Sequence, residues 1–523
     1  MVGVVSLPEK VIKKISSDIL PQWKVCFYSG IIVGLIAHIY KITNWLPNWD
    51  SLVFRYDPQN MLALGRWFLP VVCSFSSFYD LPFLNGIIAI FYHAISAVLI
   101  CKILNVQKKV TAFLIGAVVV SFPTVTSVMM YNYVADGYSI AFFLSTLAAY
   151  FMTKQKPRYI LSVMLIALST GIYQAYLTVT IMLILLKLLD EMIFEGVSFS
   201  AVFKKGIFML LAGIGGVALY SVVLKVLLNI LSVELLEYQG VNATASLSGF
   251  NLPASLYVVK NTFIKCFFDF SSGVNLYVVL NILVLVFTVV IYLKYIVNAK
   301  LYKKVTNLFV IILLGVMLLF GAGALAFINA YVDYHNLMRM GYMVFYLFFV
   351  ILYERKTETK EKFICIKSWV ILLVSVILIF NQVVIANVSY HKAQISYEKS
   401  YGLLIRISDR IEQTPGAEYC NKILVIGAID DSEKYSVNLT PDITGITDGY
   451  IIRADDEIVR QSVLCSALSD YCGKTYEFVS GEEKKKLIEN EYVKAMNKWP
   501  SNDCIAVEGD IIIIKLGTEG EVK

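Results

Sequence analysis

The sequence predicts a polytopic α-helical membrane protein of about 11 membrane segments, one pair of them short, followed by a soluble α/β domain. Three observations carry this reading. Of the 523 residues, 58% are hydrophobic and the mean hydropathy is +0.69, well above the values of a soluble globular domain. The apolar excess is gathered into separate runs of about twenty residues, the length a helix needs to cross a bilayer core about 30 Å thick. Beyond residue 389 the composition becomes that of a soluble domain. A closed β-barrel would show alternation instead. The net charge of +6 is small and dispersed, which argues against nucleic-acid binding.

The first apolar run, 23–40, lacks the short core and small-residue cleavage site of a signal peptide, so it is expected to remain as a span. Further runs lie at 81–104, 110–130, 131–152, 206–231, 274–296, 305–327, 337–353 and 369–388. The stretch 159–186 contains no charged residue, and as one helix it would be about 42 Å long, more than the bilayer core requires. Ser169, Thr170 and Gly171 in its middle mark a helix break.

Charge decides between one crossing and two. Lys10, Lys13, Lys14 and Lys24 put the N-terminus in the cytoplasm, and Lys102, Lys108, Lys109 and "KQKPR" (154–158) then fall inside. With a single crossing at 159–186, three later clusters would face outward: Lys204 and Lys205; Lys294, Lys300, Lys303 and Lys304; and "ERKTETKEK" (354–362). A helix in, a break and a helix back returns all three to the cytoplasm. The outer face then receives 44–80, the turn at 131–136, 232–273, 327–340 and the C-terminal domain.

Two domains are therefore expected, 1–389 in the membrane and 390–523 outside it. The second should contain a strand at 422–429, helices at 456–468 and 481–496, and a strand pair at 504–507 and 510–516 turned at Glu508 and Gly509. Its four cysteines, Cys420, Cys465, Cys472 and Cys504, form either two disulfides or four thiols.

Charged groups at the ends of apolar helices must be solvated, paired or used. The first outer loop, "NWDSLVFRYDPQNMLALGRWFLP", holds Asp50, Asp57 and Arg66, and the two aspartates share a face if the loop is helical. Asp136 in "NYVADGYSI" is the sole charged residue of 110–153. Arg339, Lys265 and His335 add cationic or titratable groups on the same side. Solvated loop residues and a snorkelling arginine are the plain alternatives.

Taken together, these groups suit transfer of a sugar from a polyprenyl phosphate. The lipid lies in the bilayer, the phosphate at the interface and the sugar outside. A carboxylate takes the acceptor's hydroxyl proton, and cations stabilise the departing phosphate. No phosphate-binding loop or dinucleotide fingerprint is present, so the donor is expected to be lipid-linked. Histidine spacing does not suggest a metal, although an aspartate pair could recruit a divalent cation.

The order "D50…Y56-D57…G65-R66-W67", "FPTVTSVMMYNYVADGYSIAF" and "STGIYQAYLT" resembles the type II glucosyltransferase family of bacterial membrane proteins, over about 47–353. Its relatives modify O-antigen, and it belongs to the GT-C superfamily. The resemblance implies a GT-C-like fold in the bacterial cytoplasmic membrane and inverting transfer from a polyprenyl-phosphate sugar, usually glucose, to a surface polysaccharide. It further implies that Asp50 or Asp57 supplies the first-loop acid, with Asp50 nearer the first span, and that Asp136 supplies the second. Arg66, Arg339 and Lys265 would serve the donor phosphate, and Tyr56, Tyr173, Gln174 and His335 the sugar or acceptor. An O-antigen polymerase or ligase would need an outer loop rich in Arg and His, which 232–273 is not. A transporter would carry charges at mid-membrane and an inverted repeat, and neither is seen.

Overall fold

A computed structural model describes residues 8–10, 13, 17, 19–53, 61–76, 78–236, 251–269, 274–355, 361–429, 443–446 and 457–518. In chain order the helices are α1 (Pro21–Thr43), α2 (Trp49–Val53), α3 (Leu69–Cys73), α4 (Pro82–Ile103), α5 (Lys109–Ser121), α6 (Pro123–Met130), α7 (Asn132–Thr153), α8 (Tyr159–Ile172) and α9 (Leu177–Ile193). There follow α10 (Phe199–Leu231), α11 (Leu252–Phe267), α12 (Leu276–Asn298), α13 (Val305–Gly321), α14 (Val344–Ile351) and α15 (Glu361–Gln413). The C-terminal region adds β1 (Lys422–Ile426), α16 (Glu457–Cys472), β2 (Glu477–Phe478), α17 (Gly481–Glu489), α18 (Glu491–Ala495), β3 (Ile505–Glu508) and β4 (Ile511–Lys515).

The chain divides into two compact units, one drawn from Met1–Thr43, Pro58–Asn387 and Asn438–Thr444, the other from Asn44–Asp57, Val388–Val437 and Gly445–Lys523. Among the described residues six helices, α1, α4, α7, α10, α12 and α15, are long and apolar enough to cross a membrane. The pair α5 and α6, bent by 40°, makes a seventh if taken together. The bend follows from Pro123, which has no N–H to donate and holds Phe122 in an extended conformation (φ −56°, ψ 135°). Helices α8 and α13 and the segment 340–351 are apolar but shorter, so the expected 11 segments depend on these three and on α9 being counted as well. In α10 only 22% of the most apolar window is buried, and Leu210, Leu211, Ile214 and Val222 are exposed, a surface suited to hydrocarbon.

The break expected at 169–171 lies slightly later. Helix α8 runs to Ile172, Tyr173 is extended (φ −157°, ψ 117°), and a short 3₁₀ turn leads into α9. Backbone groups released by such a break must find new partners. The Gly171 carbonyl accepts from the Phe68 N–H at 2.8 Å, and the Tyr176 carbonyl from the Ser145 hydroxyl at 2.5 Å.

The basic segments assigned to one side are joined by contacts. Lys102 lies over the rings of Trp23 and Tyr150 (4.3 and 6.0 Å), and Arg158 over Phe151 (5.7 Å). Arg355 forms a fork with Asp190 (2.8 and 2.7 Å) and donates to the Leu104 carbonyl at 2.6 Å. Lys205 pairs with Glu191 at 2.7 Å, and Lys294 lies 3.3 Å above the Phe363 ring. The start of α8 and the end of α9 therefore reach the same end of the helices, as a chain that goes in and comes back requires.

The second unit holds a four-stranded sheet in the order β2-β1-β4-β3, with β1 parallel to both neighbours and β3 antiparallel to β4. Strand alternation fills two cores. Ile423, Val425, Ile512 and Ile514 pack with Leu404 and Ile407 of α15 and with Val463 and Leu464 of α16. Leu424, Ile426 and Ile513 pack with Val479, Val493 and Met496. The helix expected at 481–496 is two helices, because the Asn490 side chain caps α18 by accepting from the Tyr492 N–H at 3.0 Å. Cys420, Cys465, Cys472 and Cys504 are all free thiols.

Candidate functional site

In the first unit, Gly65 and Arg66 form a tight turn before α3. Gly65 has φ +75°, and a Cβ there would lie 2.6 Å from the Tyr220 hydroxyl and 3.0 Å from the Gln174 amide nitrogen. Tyr220 donates to the Gly65 carbonyl at 3.0 Å, while Gln174 donates to the Leu64 carbonyl and to Tyr220, both at 3.1 Å. Trp67 lies so close to Gly171 that a Cβ there would be 2.6 Å from its ring. The turn is thus clamped between the α8–α9 break and α10. Its product is a fixed guanidinium. Arg66 donates to the Tyr138 hydroxyl at 3.2 Å and lies 5.0 Å above the Tyr173 ring, which stacks on Tyr138 at 4.6 Å.

The same chain segment reaches the beginning of α7. Asp136 is buried, with hydrogen bonds from the Ser76 side chain and, at 2.9 Å, from the Gly137 N–H. One turn earlier, Asn132 donates to Asp80 at 2.5 Å, and Lys41 at the end of α1 feels the Asp80 charge. Lys41 and Asp80 are only 1% and 8% exposed. These two were not singled out from the sequence, since each sits at the edge of an apolar run where a solvated charge is the ordinary reading.

Arg339 lies between α13 and α14, donating to the Tyr334 carbonyl at 2.9 Å and to the Asn336 side chain at 2.6 Å. The Asn336 carbonyl accepts from Thr124 of α6 at 2.9 Å, and the Asn336 N–H donates to the Thr444 hydroxyl at 3.1 Å. Burial lowers the His335 imidazole to about 4, opposed by Asp333 and reinforced by the charges of Arg339 and Arg66. His335 is thus a neutral ring held within reach of two cations. Its Nδ1 is buried with no hydrogen-bond partner among the described residues.

Of the residues expected at the site, Arg66, Tyr173, Gln174, Asp136, His335 and Arg339 all lie in the first unit; contacts join Arg66 to Tyr173, and the charges of Arg66 and Arg339 both act on His335. Lys265 is exposed on α11, with none of those contacts. Asp50 belongs to the second unit, on α2, and is 7% exposed. Asp57 and Tyr56 lie outside the described residues. Among the described residues, no three His, Cys, Asp or Glu side chains gather in a way that could hold a metal ion.

No curated protein and no solved structure matches the chain. A family model does, that of Glucosyl transferase GtrII, over residues 39–352. The match takes in the Arg66 turn, the Asp136 helix and the Arg339 loop, and it extends over more than half of the 523 residues. The chain therefore belongs to the glucosyl transferase GtrII family, the membrane glucosyltransferases that its motifs resemble.

Proposed function

We propose that this glucosyltransferase acts on the outer face of the bacterial cytoplasmic membrane, moving glucose from a polyprenyl phosphate to a surface polysaccharide with inversion at the anomeric carbon. The observation that carries the reading is the Arg66 guanidinium, held over Tyr173 and bonded to Tyr138, with Arg339 and neutral His335 in electrostatic reach. A cation over an aromatic face, with the charge of a second acting on the same neighbouring imidazole, suits a phosphate bonded to a sugar.

In the reaction the acceptor oxygen bonds to the anomeric carbon as the bond from that carbon to the phosphate oxygen breaks. A carboxylate drawn from Asp136, Asp50 and Asp57 takes the hydroxyl proton. The electron pair leaves with the polyprenyl phosphate, where Arg66 and Arg339 stabilise it. Phosphate is a good leaving group, so a separate acid is not required. The arrangement is GT-C-like, with the N-terminus in the cytoplasm and the C-terminal unit outside.

The test is transfer by the full chain in liposomes that contain polyprenyl-phosphate glucose, with isolated surface polysaccharide as acceptor. Asp136→Asn and Asp50→Asn should each lower kcat by about 100-fold or more, the contribution of a general base, while insertion is unchanged. Parent-like rates in both variants would remove them from the chemistry. An inactive parent would remove the donor assignment.

A further inference from the structure

The first outer loop carries one of the candidate bases, yet part of it packs with the distant C-terminal unit. Residues Asn44–Asp57 cluster with 388–437 and 445–523. Leu52 of α2 is 3% exposed and lies in the same core as Leu404 and Ile407 of α15, Val463 and Leu464 of α16, and Ile512 and Ile514 of β4. At the other end of the segment, the Trp45 indole N–H donates to the Tyr471 hydroxyl at 2.9 Å, a contact between residues 426 positions apart. Between these anchors Asn48 accepts from the Ser51 N–H and hydroxyl at 2.9 and 3.1 Å, which fixes the start of α2. Asp50 sits inside this bracket.

We infer that the C-terminal unit is the positioning element for Asp50. Leu52 and the Trp45–Tyr471 pair are the residues through which it acts. The inference rests on the transferase reading proposed for this chain and adds a role for a region beyond the family match, which ends at residue 352. A five-residue helix has too few internal hydrogen bonds to hold its own conformation, so its side chains point where its packing directs them. A displacement of about 1 Å at a reacting group can cost about 100-fold in rate. The unit that packs α2 therefore governs the rate.

The discriminating experiment compares two cavities in the same unit of the full-length protein. Leu52→Ala loosens α2, whereas Val493→Ala opens the core on the other face of the sheet, away from α2. Leu52→Ala should lower kcat by about 10- to 100-fold with KM for the lipid donor unchanged, and Leu52→Met should restore most of it. Val493→Ala should keep the parent kcat. Equal losses in both variants, or none in either, would overturn the inference.

A readout independent of activity is amide hydrogen exchange over 44–53. Leu464→Ala in α16 should speed exchange there, and Val493→Ala should not. Unchanged protection of 44–53 in Leu464→Ala would overturn the inference even if the parent proved inactive on polyprenyl-phosphate glucose, a result that would count against the donor assignment alone.

Discussion

Arg66 owes its fixed position to a residue that has no side chain. Gly65 takes a left-handed conformation that L side chains rarely adopt, and its Cα faces the Tyr220 hydroxyl and the Gln174 amide. Gly65→Ala should shift the turn, break the Tyr220 and Gln174 bonds and lower kcat about tenfold or more, with helical content unchanged by circular dichroism. A parent-like rate would show that the turn has slack. His335 supports a second test, whose sign follows from burial. Its imidazole titrates near 4 in the folded protein against an ordinary value of 6.5, so between those values the unfolded chain binds more protons. Its neutral burial is fully tolerated above about pH 6.5 and becomes destabilising as pH falls toward 4. His335→Gln should therefore flatten the loss of thermal stability across that window, measured as Tm against pH. An unchanged slope would assign the acid sensitivity to other groups.

At the scale of elements, the α8–α9 break was legible because hydropathy and charge left one consistent path, and a run too long for one crossing had to turn. Its location moved from 169–171 to 173–176, since the hydroxyl of Ser145 and the N–H of Phe68 capture the freed carbonyls there. Those partners come from other elements and leave no local signature. The same limit hid the ion network at the other end, where Asp190, fully buried, meets Arg355 across 165 positions. Removing one partner of a buried pair leaves the other charge desolvated, at a cost of about 3–5 kcal/mol. Asp190→Asn should lower Tm in detergent markedly. Asp190→Leu combined with Arg355→Met should recover most of the loss, because both charges then go together. Equal losses in the single and double variants would mean that the Leu104 carbonyl contact, not the pair, holds Arg355.

For the molecule as a whole, apolar runs and the strand pattern of the C-terminal unit could be read directly, because hydropathy and alternation are local properties. The grouping of 44–57 with a unit some 400 residues later could not, since Trp45 and Tyr471 carry no shared pattern. Sidedness combines both kinds of information. Contacts join Lys102, Lys205, Lys294 and Arg355 to neighbouring segments at one end of the helices of the first unit, and basic residues favour the cytoplasm. Tyr331, 65% exposed, belongs to the segment between α13 and α14 that holds the Arg339 loop. A membrane-impermeant maleimide applied to intact cells should label Tyr331→Cys, whereas Lys204→Cys and the native exposed Cys365 should react only after the membrane is opened, with sites read by mass spectrometry. Each crossing moves the chain to the opposite side of the bilayer. Because the start of α8 and the end of α9 lie at one end of the helices, label on Lys204→Cys from outside would mean that the first unit is inserted the other way round, with the Arg355–Asp190 end on the outer face. The proposed donor site would then open to the cytoplasm, away from any surface polysaccharide.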